Sequence, residues 1–297
     1  MEHHHQHSTL KGLDGPVALL SLLRKEAATT PGEEDAAPAP GIVSLVGAGP
    51  GDPKLLTLRA LELLQAADVI AYDELVPPAI LALASPAAEL LPVGRRCGAE
   101  PRPFRLHPAV AARAHAGKRV VRLKAGDPFL FGRGGEEIEE LVAEGIPFEV
   151  VPGVSAAFGA AASAGIPLTH RDCASAVTFT TGHGAHGEAG DPAAWQPAGG
   201  GTIVLYMVAR KLRQNVRRLI AAGRSPETPA AYVAAATTAE EVVLIGTLAD
   251  IAGQVEALDS TSPALLIVGE VVRLRQQPAA RRTERSPALA AALEDRG

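Results

Sequence analysis

The feature that most constrains this chain is a repeated alternation of short apolar runs with segments of helical spacing. Four apolar runs of strand length predict strands over residues 42–46, 69–72, 119–124 and 148–151. Apolar residues at helical spacing between these runs predict helices over residues 55–66, 78–84, 109–115 and 135–144. Such alternation is typical of an α/β domain with a mostly parallel sheet.

A second set of elements follows and predicts a second α/β lobe. Its predicted strands cover residues 175–181, 202–207, 230–235, 242–246 and 264–268, and its predicted helices cover residues 155–164 and 211–222. We expect an N-terminal lobe over residues 41–152 and a C-terminal lobe over residues 153–274. Residues 1–40 carry a His tract and a segment rich in Pro, Ala and acids, so we expect a disordered extension there and a flexible tail over residues 275–297.

The composition excludes several classes of protein. Of the 297 residues, 47% are hydrophobic, which excludes a wholly disordered chain. Two cysteines, Cys97 and Cys173, are too few for a disulfide framework and fit a reducing cytoplasm. No apolar run reaches the roughly 18 residues that a membrane span needs, and the net charge of −5 argues against a nucleic-acid partner. We therefore expect a cytoplasmic protein without a membrane or nucleic-acid partner.

The first predicted strand leads into a glycine-rich loop, Gly-Ala-Gly-Pro-Gly-Asp-Pro, at residues 47–53. Its glycines fall at every second residue, and Asp52 stands where the third glycine of a dinucleotide fingerprint would be. Pro50 and Pro53 lack the backbone N–H groups that cradle a pyrophosphate. The loop is therefore either a binding loop for a ligand without phosphate groups or only a tight turn.

Three further stretches place glycine and small residues after a predicted strand or helix, and two of them also carry acids. They are Val-Val-Arg-Leu-Lys-Ala-Gly-Asp-Pro-Phe-Leu-Phe-Gly-Arg-Gly-Gly-Glu-Glu at residues 120–137, Val-Pro-Gly-Val-Ser-Ala-Ala at residues 151–157, and Gly-Ile-Pro-Leu-Thr-His-Arg-Asp at residues 165–172. Ligands of open α/β sheets bind beside the carboxyl ends of the strands, so the first two stretches are candidate binding loops.

Together, the four stretches resemble the tetrapyrrole methylase family, over about residues 42–273. The glycine loop is only moderately specific, because relatives that act on corrin precursors, diphthine precursors and ribosomal RNA share similar loops. Residues 131–137 and 166–172 are more specific and point to the branch that acts on uroporphyrinogen. The resemblance implies a homodimer of two-lobed chains with S-adenosylmethionine in the cleft between the lobes, and two methyl transfers to uroporphyrinogen III. Their product, precorrin-2, leads to siroheme or cobalamin.

The resemblance also implies which residues do this work. Asp73 matches the family's proposed proton acceptor, although the residue type and position also suit a helix-start cap. Arg95 stands where the family has a lysine proposed as proton donor. No metal is expected. The residues implied to contact S-adenosylmethionine are Pro50, Ala125, Gly126, Asp127, Leu130, Ser155, Ala156, Met207 and Ala236.

Uroporphyrinogen carries eight carboxylates, so an acidic protein that binds it must concentrate cations locally. The candidates are Arg95, Arg96, Arg102, Arg105, Arg122, Arg133 and Arg171.

Two departures from the family pattern leave alternatives open. A guanidinium has a pKa above ~12 and is a poor acid, so Arg95 either binds a carboxylate or is not a proton donor. Residues 98–107 differ from the family pattern and are rich in proline. The alternatives are a methylase of another tetrapyrrole precursor and a non-catalytic relative that keeps the cofactor cleft. An RNA methylase is disfavoured because the chain is acidic.

Overall fold

The computed structural model describes residues 41–94, 106–182, 201–258 and 262–276. The predicted extension over residues 1–40 and the predicted tail beyond residue 276 lie outside these ranges. None of the helices in the described part of the chain has the length and hydropathy required to cross a lipid bilayer.

The first half of the described chain forms a five-stranded sheet in which every pairing is parallel. Its strands are β1 (Val43–Gly47), β2 (Val69–Tyr72), β3 (Glu89–Pro92), β4 (Val120–Lys124) and β5 (Phe148–Val151), in the order β3-β2-β4-β1-β5. Its helices are α1 (Leu58–Ala66), α2 (Pro78–Leu81), α3 (Pro108–His115) and α4 (Gly134–Ala143), and a 3-10 turn covers Pro53–Leu55. Because β1 lies between β4 and β5, the loops that follow these three strands emerge side by side.

Apolar clusters cover both faces of this sheet. On one face, Leu64 of α1 and Ile80 of α2 pack against Val46 and Leu123. On the other face, the described helices α3 and α4 contribute Val110 and Leu141 to a cluster with Leu45 and other strand residues. All residues of β1 and β4 are buried, as expected for strands of a parallel sheet with helices on both sides.

The second half forms a mixed five-stranded sheet. Its strands are β6 (Val177–Thr181), β7 (Thr202–Tyr206), β8 (Pro229–Ala234), β9 (Val242–Thr247) and β10 (Ala264–Val268), in the order β6-β7-β10-β8-β9. Only β6 and β7 pair in parallel, and the other pairings are antiparallel. Its helices are α5 (Ala156–Ala164), α6 (Leu212–Ala221) and α7 (Ile251–Glu256), and a 3-10 helix covers Glu270–Leu274.

The predicted fold class of two α/β lobes is confirmed, but the prediction of mostly parallel sheets holds only for the first sheet, because the second is mixed. The antiparallel pairing of β8 with β9 follows from a short connection: only seven residues separate the two strands, too few for the crossover that a parallel pair requires. The structure adds one strand, β3, and one helix, α7, that the sequence pattern did not predict.

Candidate active site

Three glycine-containing loops meet at the carboxyl end of the parallel sheet. The loops after β1 and β4 exchange two hydrogen bonds, with Gly49 N donating to Gly126 O at 3.2 Å and Gly126 N donating to Gly49 O at 2.8 Å. The loop after β5 crosses them so closely that a Cβ atom on Gly153 would overlap the Gly126 carbonyl oxygen. Only glycine fits at this crossing, because a side chain there would overlap the backbone of the neighbouring loops.

Asp127 fixes two of these loops to each other. Its Oδ1 accepts a hydrogen bond from Phe129 N at 2.9 Å, and its Oδ2 accepts one from Gly153 N at 3.1 Å. A carboxylate has about four lone-pair positions, so both oxygens keep capacity to accept hydrogen bonds from the hydroxyl or amino groups of a ligand.

The loop after β1 also contacts the second sheet. Pro50 lies against Gly159 of α5, where an added Cβ atom would be 2.5 Å from the proline Cβ. Asp52 N donates to Thr237 Oγ1 at 3.0 Å. Ala235 and Thr237, on either side of Ala236, have positive φ angles of 47° and 69°. A turn held in this uncommon conformation by its surroundings is typical of ligand-binding segments.

Tyr206, at the end of β7, ties the start of α5 to the second sheet. Its hydroxyl shares a 2.5 Å hydrogen bond with Ser155 Oγ and accepts one from Ala157 N at 3.2 Å. Burial raises the pKa of Tyr206, and the hydrogen bond to Ser155 opposes this effect. The next residue, Met207, has a φ of 56° and a side chain that is 49% exposed, so it projects from the strand end toward solvent.

The structure brings the residues predicted to bind S-adenosylmethionine to one region. Leu130, Ala156 and Ala236 pack against the same apolar cluster, which includes Tyr206. Gly126 adjoins Ala156, since a Cβ atom on Gly126 would be 3.5 Å from Ala156 N. The other predicted contacts lie in the same loops or directly after β7: Pro50, Ala125, Asp127, Ser155 and Met207.

The predicted base, Asp73, lies directly after β2 and belongs to a charged cluster. Arg122 Nη2 contacts Asp73 Oδ1 at 2.5 Å and Glu137 Oε1 at 2.9 Å. Lys124 Nζ lies 2.9 Å from Glu137 Oε1 and 3.9 Å from Asp73 Oδ2. Asp73 is the most exposed member, with 27% of its side chain accessible, against 3% for Lys124 and 8% for Glu137.

Burial of this cluster changes the pKa of Lys124. Desolvation lowers the pKa of Lys124, the charge of Arg122 lowers it further, and the charges of Glu137 and Asp73 oppose the decrease. Buried charges cost several kcal/mol each when they leave water.

A comparison with known families identifies the chain. The model for tetrapyrrole (corrin/porphyrin) methylases matches residues 43–252. The chain belongs to this family. Among solved structures, uroporphyrin-III C-methyltransferase from Thermus thermophilus, complexed with S-adenosyl homocysteine, is 39% identical, with a TM-score of 0.68. The match covers 79% of this chain and 100% of the Thermus chain. A cobalt precorrin-4 methyltransferase is 30% identical, with the same TM-score, over 78% of this chain and 95% of its own.

Curated relatives of this tetrapyrrole methylase include two siroheme synthases. Those of Stutzerimonas stutzeri and Azotobacter vinelandii are 50% and 51% identical over 269 residues, which is 89% of this chain. The match covers 58% of each relative, so the chain spans somewhat more than half of their length.

The methylase structure leaves some predicted residues apart from this site. Arg95, Arg96, Arg102 and Arg105 lie outside the described residues. Arg171 lies in the turn between α5 and β6 that the His170–Ala174 bridge closes, whereas the predicted contacts Ser155 and Ala156 lie at the start of α5. His107 is the last of residues 98–107, which differ from the family pattern. It caps α3, because its Nδ1 accepts a hydrogen bond from Ala109 N at 3.2 Å.

Arg122 was a predicted ligand of a substrate carboxylate, and Glu137 was not among the predicted site residues. The structure buries Arg122, and its three guanidinium nitrogens all contact protein acceptors: Asp73, Glu137 and the Leu123 carbonyl. A signal for this arrangement was present in the sequence. Two cations two residues apart in an otherwise apolar strand face the same side of the sheet and require buried acids as partners.

Proposed function

We propose that this tetrapyrrole methylase is an S-adenosylmethionine-dependent uroporphyrinogen-III C-methyltransferase. It transfers two methyl groups in succession and forms precorrin-2. The observation that carries the proposal is the match to the Thermus enzyme, which extends over that whole chain at 39% identity and includes a bound S-adenosyl homocysteine. The siroheme synthase relatives favour siroheme as the destination of the product, and cobalamin remains the alternative.

The residues at the loop crossing suit S-adenosylmethionine, which has no phosphate groups. The loop after β1 contains two prolines where a phosphate cradle would need N–H donors. Asp127 suits hydroxyl and amino groups, and the small residues Gly126, Ala156 and Ala236 admit a bulky ligand close to the backbone. When bound, S-adenosylmethionine supplies an electrophilic methyl group on its sulfonium sulfur.

The protein's part in the reaction is alignment and proton removal. A pyrrole carbon of the reduced macrocycle is itself nucleophilic, so holding it in line with the methyl group and excluding water provides much of the acceleration. The methylated macrocycle then loses a proton from another position, for which we assign Asp73 as acceptor. Its carboxylate is the exposed member of the charged cluster, and Arg122 holds Oδ1 in place.

A second candidate is a methylase that acts on a later corrin precursor. Two observations favour it: the likeness to cobalt precorrin-4 methyltransferase at a TM-score of 0.68, and the departure of residues 98–107 from the pattern of the uroporphyrinogen branch. The two candidates share the cofactor residues and Asp73, so they differ only in the macrocycle accepted.

The proposal extends to the organisation of the chain. We assign residues 41–152 and 153–274 to two lobes that form the cofactor cleft, and we expect a cytoplasmic homodimer that uses no metal. The first sheet ends at Val151 and α5 begins at Ala156, which supports a lobe boundary between them.

An anaerobic assay with uroporphyrinogen III and S-adenosylmethionine tests the function, with product mass as the readout. The wild type should add two methyl groups. Asp73→Asn should bind S-adenosylmethionine normally in calorimetry and lose methyl transfer by about 10²-fold or more. A matched control is Asp250→Asn, because Asp250 lies beside α7 and contacts Thr247 and Gln254 instead of the cluster.

Binding of S-adenosylmethionine without transfer to uroporphyrinogen III would contradict the proposed substrate. Transfer to a precorrin in the same assay would then establish the second candidate. If neither macrocycle were methylated by the wild type but Arg95→Lys restored turnover, the chain would be a degenerate member of the family.

A further inference from the structure

We propose that Lys124 and Glu137 are positioning residues that hold the Asp73 carboxylate ionised and correctly aimed for proton removal. This inference rests on the proposed function, because it assigns these residues to the base of that reaction. Neither residue contacts the substrate, and both act through Asp73 and Arg122.

The strand register places Asp73, which follows β2, beside Arg122 and Lys124 of β4. β2 and β4 pair in parallel with Ala71 opposite Arg122, so continuation of the register by two residues places Asp73 opposite Lys124. Asp73 N donates to Leu123 O at 3.1 Å, which shows that the pairing extends past the end of β2. Side chains two residues apart on a strand share a face, so Arg122 and Lys124 both face Asp73.

Glu137 reaches the same point from α4. A single oxygen, Oε1, accepts hydrogen bonds from Arg122 Nε at 3.1 Å, Arg122 Nη2 at 2.9 Å and Lys124 Nζ at 2.9 Å. The other oxygen, Oε2, is buried and has no hydrogen-bond partner in the described part of the protein. Glu137 therefore ties both cations together and fixes where Arg122 meets Asp73.

The charges of the cluster balance, and the balance depends on Asp73. Arg122 and Lys124 carry two positive charges, and Glu137 and Asp73 carry two negative charges, all within about one hydrogen-bond distance of a neighbour. Asp73 is the only one of the four with more than a tenth of its side chain exposed. When Asp73 accepts a proton, the buried part is left with an excess positive charge. That excess favours release of the proton to solvent and returns the base to its ionised form.

A purely structural role would not require two cations and two acids at this position. Buried ion clusters are often no more stabilising than apolar side chains of similar volume. Here the cluster lies under the one carboxylate to which the proposed reaction assigns a proton. Burial lowers the pKa of Lys124 below its ordinary value, which fits a site in which each positive charge depends on the acids beside it.

Opposite charge changes in the full-length enzyme test this proposal. The variants are Lys124→Met, which removes a cation, Glu137→Gln, which removes an anion at constant shape, and Lys124→Arg, which keeps the charge. Two quantities are measured against pH: kcat for methyl transfer, and the ¹³C carboxyl signal of Asp73 in protein labelled at aspartate Cγ, assigned with Asp73→Asn. The charged residues in contact with Asp73 lie on β4, and Glu137 joins them from α4. Glu74 is the next residue in the chain, so it stays unchanged throughout.

Lys124→Met and Glu137→Gln should shift the pH dependence of kcat and of the Asp73 carboxyl signal in opposite directions. In Lys124→Met, both the protonation of Asp73 and the acid limb of kcat should move to higher pH by about one pH unit, and Lys124→Arg should reverse most of this movement. In Glu137→Gln, both should move to lower pH, and kcat at its plateau should fall by about tenfold because the base is weaker. KM for S-adenosylmethionine should stay within about twofold of the wild-type value in both.

A matched control is Arg119→Met, which removes an exposed cation that pairs with Asp68 just before β4 and does not contact the cluster. It should leave both readouts unchanged. Movement in the same direction for Lys124→Met and Glu137→Gln, or no movement in folded variants, would overturn the proposal. If one variant does not fold, the direction in which the pH profile of the other variant moves decides whether the proposal holds. If the wild type methylates no uroporphyrinogen III, the proposed function fails, while the carboxyl titration still reports on the cluster.

Discussion

At the scale of single residues, the crossing of the three loops depends on the absence of a side chain at Gly153. Its backbone contacts Gly47 and Gly126 so closely that any Cβ atom meets backbone atoms, which cannot move aside as a flexible side chain can. Gly153→Ala should therefore lower the free energy of unfolding by roughly 1–3 kcal/mol and weaken S-adenosylmethionine binding. Chemical denaturation and calorimetry measure the two effects.

Gly253 provides the matched control for this prediction. It lies in α7 with no heavy atom within 4 Å of an added Cβ. Gly253→Ala should raise the free energy of unfolding by about 0.5–1 kcal/mol, because alanine loses less backbone entropy in a helix. Equal destabilisation by both alanines would show that the loop crossing is not the cause.

Two tyrosines allow a second test at this scale. The Tyr206 hydroxyl joins Ser155 and the backbone of Ala157, whereas the buried Tyr232 hydroxyl has no hydrogen-bond partner among the described residues. Tyr206→Phe should cost about 1–3 kcal/mol of stability and weaken S-adenosylmethionine binding, because it leaves two buried polar groups unpaired. Tyr232→Phe should be neutral or stabilising. Urea denaturation measures the stability of both variants, and an equal loss of stability in the two would contradict this prediction.

At the scale of elements, an ion pair joins the start of β2 to the start of β4. Arg119 donates to Asp68 from its backbone N at 2.8 Å and from its guanidinium at 2.8 and 3.2 Å. The side-chain hydrogen bonds, followed by the backbone one, lower the pKa of Asp68 to about 2. Because the folded-state pKa is below the unfolded value of about 3.9, the pair stabilises the protein above pH 4, and this contribution is lost as pH falls toward 2.

Asp68→Asn should therefore lower the free energy of unfolding at pH 7 by about 0.5–1 kcal/mol, a small effect because the pair is exposed. The difference from wild type should shrink as the pH falls below 4. Urea midpoints at a series of pH values measure this, and Arg119→Met should reproduce it. A difference that stays constant down to pH 3 would contradict the assignment.

The elements also show how far the sequence predicts the fold. Three strands, β2, β5 and β10, have the predicted bounds, because each is a short apolar run between clear breaks. The helix predicted over residues 55–66 begins only at Leu58, since Thr57 caps it by accepting a hydrogen bond from Ala60 N. β3 was missed because it is an edge strand of mostly exposed residues that ends in a proline.

The candidate site was predictable where small residues and turns carry the signal. The loops of Pro50, Gly126 and Ser155 follow strand ends, which a linear pattern shows. The link between Asp73 and Glu137, 64 residues apart in the chain, depends on the order of the strands and on the rotation of α4. Neither the strand order nor the rotation of the helix can be inferred from local spacing. The family resemblance therefore assigned a role to Asp73 but did not predict the charged residues that surround it.

At the scale of the whole molecule, the family resemblance predicts a homodimer. Light scattering at micromolar concentration should give twice the 30.6 kDa mass of one chain. Exposed apolar side chains such as Phe158 on α5, which is 54% accessible, are consistent with a further contact surface. A mass near that of one chain would contradict this prediction.

The parallel order of the first sheet also has a consequence for synthesis on the ribosome. β1 is made first but pairs only with β4 and β5, whose residues opposite Val43 are Val120 and Phe148. At roughly 5–20 residues per second, its second partner emerges some 5–20 s later. Until β4 emerges, the nascent chain carries the buried, mostly apolar strand β1 without a partner, so this interior strand of the active-site sheet is exposed to aggregation during synthesis.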